Sequence, residues 1–409
     1  MDIAIAIEME NMFTQQEIEV AKGYKYNGTD DSICVKLFLR KFWNWCIEFV
    51  PLNIAPNVIT FVGFLFEIFS FLFSAICSRG FIIPLPGWCC LCNGISLFIY
   101  QTLDNLDGRQ ARRTQMSSPL GQFFDHGCDA ITGVLEMMKV GASLNLACNR
   151  FMFYLTFLMA IGFFFTSWQE YVTHAFYLGP INGPDEGLLF LMIIHLLCAI
   201  VPNVNSITKI PLFEILFYIA LLVTIGAIVY DVVKKTTQDS NLLRPAILSL
   251  IPFLVTIILF CLNYFGVSGN VSASFIFAAG LLPQFQGQQL IVGHLVGRDS
   301  WKQIDLSMWC LWVLAVIPLF LDSYSASYWT FYSFVLLCAV IFFDVRVING
   351  LSTGLNIPVF TVHNHDNDID NQNAQIDVLE MDEMEDNDDE NENENGGENK
   401  QETNEVNTL

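Results

Sequence analysis

From Asn57 onward the chain repeats one pattern, an apolar run close to 20 residues followed by a short polar break. Ten such segments fall near 57–79, 88–107, 121–147, 151–168, 187–204, 211–233, 243–264, 271–296, 304–322 and 326–348. A helix needs ~20 residues to cross ~30 Å of hydrocarbon, so each segment is a candidate span. The expected fold is an all-α polytopic membrane protein with about ten transmembrane helices. Composition agrees once the charge is located. Of 409 residues, 53% are hydrophobic and 15% charged, and the formal net charge is −22. Yet 17 of the 41 acidic residues lie in 361–409, opposed by Lys400 alone, which leaves the first 360 residues at only −6. A nearly neutral, apolar body with an acidic tail is not an ordinary soluble enzyme. It also offers no basic surface to a phosphate backbone, which excludes nucleic acid as a partner.

The first 30 residues carry Asp2, Glu8, Glu10, Glu17 and Glu19 and lack the basic and apolar regions of an export signal. The first transmembrane helix is therefore expected to act as the signal. In 31–50, Ile33, Leu37, Trp43 and Trp45 alternate with Lys36, Arg40 and Lys41. That mixture suits an N-terminal amphipathic helix lying in the headgroup region. With an even number of spans, Arg109, Arg112, Arg113, Lys234, Lys235, Arg244, Arg298 and Lys302 share one side, against Arg79, Arg150 and Lys209 opposite. The excess makes that side cytosolic, together with both termini and the 104–125 connection. The sequon at Asn27 would then face the cytosol, unused. Three regions follow: a cytosolic segment 1–50 with the interfacial helix, a transmembrane domain 51–350, and an Asn-rich acidic tail 351–409 expected to be disordered. The cysteines fall mostly in apolar runs and read as buried hydrophobes. Cys89, Cys90 and Cys92 lack a second Cys or His pair at ligand spacing.

Ionisable groups inside spans need a reason, and the densest cluster here is confined to one place. Asp104 and Asp107, spaced i, i+3, share a face at the end of the second span; Asp125 and Asp129, spaced i, i+4, share one at the start of the third. Adjacent antiparallel helices would bring the faces together. Four carboxylates in a low-dielectric site stay ionised only with cations between them, and hard oxygen ligands indicate Mg²⁺ or Mn²⁺, two ions for four acids. Because Mg²⁺ keeps positions open for substrate phosphates, the site argues for a diphosphate substrate. Gly108 and Gly121 leave room for a close approach, and Arg112 can hold a phosphate bidentately. A transporter's ion pathway would explain buried acids but not the Gly-x-x-Ala-Arg between the two pairs. Glu136 and Lys139, i, i+3 on the third span, are expected to neutralise each other. His174, His195 and His294 are lone residues read as structural.

The pattern D-x2-D-G-x2-A-R-x8-G-x3-D-x3-D, met at every fixed position from Asp104 to Asp129, resembles the signature of the CDP-alcohol phosphotransferases. Within that family the chain most resembles the choline/ethanolaminephosphotransferase branch. Tyr24-Lys25-Tyr26, Phe42-Trp43-Asn44-Trp45, Ala55-Pro56-Asn57-Val58-Ile59-Thr60, Asp125-His126-Gly127-Cys128-Asp129 and Trp168-Gln169-Glu170-Tyr171 carry the likeness, over residues 22–300. The resemblance implies transfer of a phospho-alcohol from a CDP-alcohol to the hydroxyl of diacylglycerol, releasing CMP, in the endoplasmic reticulum or Golgi membrane. It also implies a homodimer. Asn57 becomes a candidate contact to the CDP-alcohol, a helix cap being its other reading. Gln115 stands where these transferases commonly have Asn. A lipid hydroxyl needs a base to take its proton; His126 is the candidate, with Asp129 its rival and a role in orienting Asp125 its alternative. Two other classes are weighed: a family member that joins CDP-diacylglycerol to an alcohol, and a cation-coupled transporter. Chain length and His126 speak against the first, the motif against the second.

Overall fold

The protein is described here as a computed structural model over residues 12–146, 148–201, 211–266, 271–299, 306–320 and 326–362. The expectation of a disordered tail lies outside the described residues beyond 362. The helices are α1 (Gln15–Lys22), α2 (Arg40–Ile47), α3 (Pro56–Cys77), α4 (Gly87–Arg113), α5 (Pro119–Ser143), α6 (Arg150–Thr173), α7 (Leu188–Ile200), α8 (Pro211–Gln238), α9 (Leu243–Gly266), α10 (Ala273–Val296), α11 (Leu306–Val316) and α12 (Ala326–Leu355). π-helical turns at Val35–Leu39 and Gly183–Gly187 lead into α2 and α7. The strands are short: β1 (Gly28–Asp30) pairs in parallel with β2 (Phe176–Leu178), Gly28 opposite Phe176.

The architecture is all-α, and each of the ten apolar segments coincides with one of α3 to α12. Among the described residues, five helices are long and apolar enough to cross a membrane: Pro56–Cys77, Arg150–Thr173, Gly183–Ile200, Ser240–Phe265 and Ala326–Leu355. The chain is an integral membrane protein. Two other helices of similar length, α5 and α10, are instead largely buried among their neighbours. α10 is buried along nearly its whole length, Gln284, Gln286, Gln288 and Gln289 included, and packs against α6, α5 and α12. Gly280 permits that packing, since a Cβ there would stand 2.6 Å from Thr156 Cγ2.

Local chemistry sets the helix ends that matter. Pro56 opens α3 at a position where its missing N–H costs nothing. Ser118 caps α5, its Oγ accepting from Gly121 N at 3.2 Å, with Pro119 next. Arg112 and Arg113 close α4, where the helix dipole favours cations. α1 is held by a Thr14–Glu17 capping box and by Arg298, whose Nε donates to Glu17 Oε1 at 2.6 Å. Trp43 of α2 is buried against α4, while Leu37, Trp45 and Phe49 stay exposed. α12 runs past the expected boundary at 350, and the chain beyond it folds back toward α3 and α5.

Deep in the bundle a polar cluster ties α3, α4, α5 and α7 together. Lys139 Nζ lies 2.5 Å from Glu67 and 2.7 Å from Glu136, all fully buried. His195 Nε2 meets Glu136 at 2.8 Å and its Nδ1 meets Ser143 Oγ at 2.9 Å, while Ser96 donates to Glu67 at 2.8 Å. Glu136 and Lys139 do pair, but the cluster is larger than their spacing suggests. Lys139→Met should destabilise the protein by about 3–5 kcal/mol, because two buried carboxylates lose their cation. The midpoint of thermal unfolding in detergent reads this. A midpoint within ~2 °C of wild type would mean that the cluster is not ionised.

Candidate active site

The last turns of α4 and the first turns of α5 carry the acids. The 114–118 connection between them is too short to let the helices separate, so the two carboxylate pairs face each other across one gap. The carboxyls of Asp104 and Asp125 abut, and all four aspartates act on one another electrostatically. Ligand atoms of Asp125, His126 and Asp129 lie within 4.8 Å of one another. Neighbours brace the set. Thr60 of α3 donates to Asp107 Oδ2, and the Tyr100 hydroxyl donates to Asp129 Oδ1. Asp104 Oδ1, Asp125 Oδ1 and His126 Nδ1 are buried without a hydrogen-bond partner. Buried acceptors are normally satisfied, so a cluster of orphaned hard oxygens fits divalent cations. Asp185, from the turn before α7, adds a fifth buried acid close enough to act on Asp104. It lies too far along the chain for the motif spacing to reveal it.

The remaining predicted residues divide. Arg109 donates to Asn44 Oδ1 at 2.7 Å and Arg113 to Ile47 O at 2.5 Å, so both are committed to α2 and the chain just after it. Arg112 is exposed and, among the described residues, makes neither a hydrogen bond nor an ion pair. It stands over Gly108, where a Cβ would be 3.8 Å from its Nη1. Asn57 is not the cap of α3, because Ala55 occupies that position. Its Oδ1 approaches Gly121, and its Nδ2 donates to Val359 O at 2.9 Å in the segment after α12. Phe360 of that segment packs on Phe61 and Phe124. Gln115 sits exposed in the α4–α5 turn with φ 53°. Left-handed backbone suits Asn better than Gln, so the position has a conformational reason to favour Asn.

A roof that the sequence did not reveal covers the gap. β2 places Phe176 against the His126 ring at 5.6 Å, and β1 secures β2 from above. Beneath it, Gln122 Nε2 donates to Glu170 Oε1 at 2.6 Å and the Tyr24 hydroxyl donates to Gln122. His174 and His294 are not lone residues: their Nδ1 atoms lie 3.1 Å apart, and His294 Nε2 is 3.8 Å from Glu170. His195 belongs to the deep cluster, as a structural residue would. Cys89 and Cys90 are buried, Cys92 is exposed, and all are free thiols.

A family model for CDP-alcohol phosphatidyltransferases matches residues 53–226, which hold all four aspartates. The chain is 33% identical to a choline/ethanolaminephosphotransferase of Arabidopsis thaliana over 72% of its own length and 82% of that protein's. Identity to a Saccharomyces cerevisiae choline/ethanolaminephosphotransferase is 28%, over 71% and 80%. A class-I CDP-alcohol phosphatidyltransferase family protein of Dictyostelium discoideum is 44% identical, but that match spans only about half of either chain. The chain belongs to the CDP-alcohol phosphatidyltransferase family. It is a transferase of phospholipid synthesis, and enzymes of this family depend on divalent metal ions.

Tyr100→Phe removes the hydroxyl that orients Asp129 while keeping the ring. The Mg²⁺ concentration giving half-maximal activity should rise roughly tenfold, as for other lost supports of a metal ligand. An unchanged Mg²⁺ titration would dissociate Tyr100 from the metal site.

Proposed function

We propose that the chain transfers phosphocholine or phosphoethanolamine from a CDP-alcohol to the hydroxyl of diacylglycerol, releasing CMP. The observation that carries this reading is the convergence of four motif aspartates at one end of adjacent helices, with unsatisfied oxygens on Asp104 and Asp125. The names of the Arabidopsis and yeast relatives support the substrates. Asp104, Asp107, Asp125 and Asp129 hold Mg²⁺ or Mn²⁺, two ions for the four acids. A divalent ion held by these carboxylates would supply positive charge against the diphosphate and the departing CMP.

The chain's own groups do the rest. Arg112, uncommitted over Gly108, holds a phosphate oxygen; Gly121 and Asn57 shape the nucleotide side, with Gln115 at the edge. His126 takes the proton from the lipid hydroxyl. Its Nδ1 has no partner and can accept, whereas Asp129 is already hydrogen-bonded by Tyr100. Phe176, tilted against the ring, limits water at the imidazole.

The active end faces the cytosol of a ten-span protein in the endoplasmic reticulum or Golgi membrane. Alternate crossings of α3 to α12 bring the start of α3, the ends of α4, α6, α10 and α12 and the start of α5 to one side, consistent with the links among Asn57, Gln122, Glu170, His294 and Val359. On this reading 1–50 is the cytosolic segment with α2 at the interface, 51–350 the catalytic domain and 351–409 the cytosolic tail. The family resemblance supports a homodimer.

Each of Asp104→Ala, Asp107→Ala, Asp125→Ala and Asp129→Ala should abolish turnover, and excess chelator should do the same to wild type. Full activity in chelator would refute the metal site. His126→Ala should lower kcat by roughly 10²–10⁴ with CDP-alcohol affinity near wild type. If raising Mg²⁺ restores most of that activity, His126 orients Asp125 instead, and the base is Asp129.

A further inference from the structure

The two helices that carry the aspartates are held by a third. α4 and α5 each pack closely on α3 but touch each other little. Carboxylates facing across the gap between them repel one another, so its width has to be set from elsewhere. The buried face of α3, through Asn57, Thr60, Gly63 and Glu67, is placed to do so.

Near the mouth, Asn57 Oδ1 approaches Gly121 of α5, and Thr60 donates to Asp107 of α4. One turn on, α3 lies so close to α4 that a Cβ at Gly63 would stand 3.3 Å from Leu103 Cβ. Glu67, two turns from Thr60 and fully buried, touches both neighbouring helices at once. Its Oε1 accepts from Ser96 of α4 at 2.8 Å, and its Oε2 meets Lys139 Nζ of α5 at 2.5 Å. Ser96 is one turn from Tyr100, whose hydroxyl donates to Asp129. A single carboxylate therefore links the helices on either side of the acidic gap.

Charge balance does not account for Glu67. Lys139 already has Glu136 beside it on α5 at 2.7 Å, and one ammonium needs one carboxylate. A second buried carboxylate adds a desolvation cost, and what it adds in return is a fixed link between helices. Resting on the metal site proposed above, we infer that Glu67 is a positioning residue for that site. By bridging Ser96 and Lys139 it fixes the spacing of α4 and α5, and with it the spacing of the Asp104–Asp107 and Asp125–Asp129 pairs. Glu67 hydrogen-bonds to none of the four aspartates, so it acts only through the helices that carry them. Divalent ions of this class demand oxygens at ~2.0–2.1 Å, which converts a small change in helix spacing into a change in affinity.

The test is direct binding of Mn²⁺ to the full chain in detergent, followed by the electron paramagnetic resonance signal of the free ion and independent of turnover. In Glu67→Gln the amide oxygen still accepts from Ser96, but the NH₂ group cannot accept from Lys139, which keeps Glu136 as its partner. Mn²⁺ affinity should fall about tenfold, as for other lost supports of a metal site. Ser96→Ala keeps the ion pair and cuts the link to α4; it should weaken binding in the same direction, and it decides the matter if Glu67→Gln does not fold. Wild-type affinity in either folded variant, even with a lowered thermal midpoint, would overturn the positioning role and leave the metal site standing. Wild type that binds no Mn²⁺ would overturn the metal site, and the positioning role with it.

Discussion

Four carboxylates held within one gap of low dielectric repel each other strongly, and the rest of the bundle is arranged to keep them there. The short α4–α5 connection prevents the helices from parting. Thr60 and Tyr100 hold individual oxygens from α3 and α4. Seven residues, two turns, further along α5 from Asp129, Glu136 joins Lys139, Glu67 and His195 in the cluster that locks α5 to α3 and α7. The strain of assembling like charges at the mouth is thus borne by opposite charges in the interior. α10 supplies the wall behind both, with Gln288 donating to the Gly127 carbonyl between Asp125 and Asp129 at 3.1 Å.

The two ends of the described chain serve the same gap from outside the bundle. The N-terminal segment crosses it through Tyr24 and Tyr26 and pairs with β2 over His126. After α12 the chain turns so that Val359 reaches Asn57 and Phe360 wedges between α3 and α5. A diphosphate approaching from water would meet Arg112 first. In the reaction proposed above, the proton of the lipid hydroxyl passes to His126 beside Phe176.

Much of this was legible in the sequence, for identifiable reasons. Apolar helices announce themselves because lipid demands uninterrupted apolar length: α3 to α12 fall on the ten predicted segments, and five helices among the described residues are long and apolar enough to cross a membrane. The acids announce themselves because i, i+3 and i, i+4 spacing survives whatever the tertiary arrangement. Partners across helices do not. Glu67 lies 72 residues from Lys139, and His174 lies 120 from His294, so no local period connects them. The histidines read as lone side chains for that reason. Asn57 looked able to cap α3, yet α3 starts earlier, at Pro56. The roof left no signal at all: strands of three residues are too short to show alternation.

The parallel pairing of β1 with β2, and the grip of Arg298 on Glu17, fix an order of events during synthesis. The segment made first can find its strand partner only after residue 178 has emerged, and its α1 anchor only after residue 298. Contacts so far apart in sequence form late. The carboxylate gap is therefore built before its cover, and the nascent chain passes through an interval in which the acids are assembled but uncovered. Metal can reach them during that interval without crossing the roof. The oldest part of the polypeptide is the last to close the site.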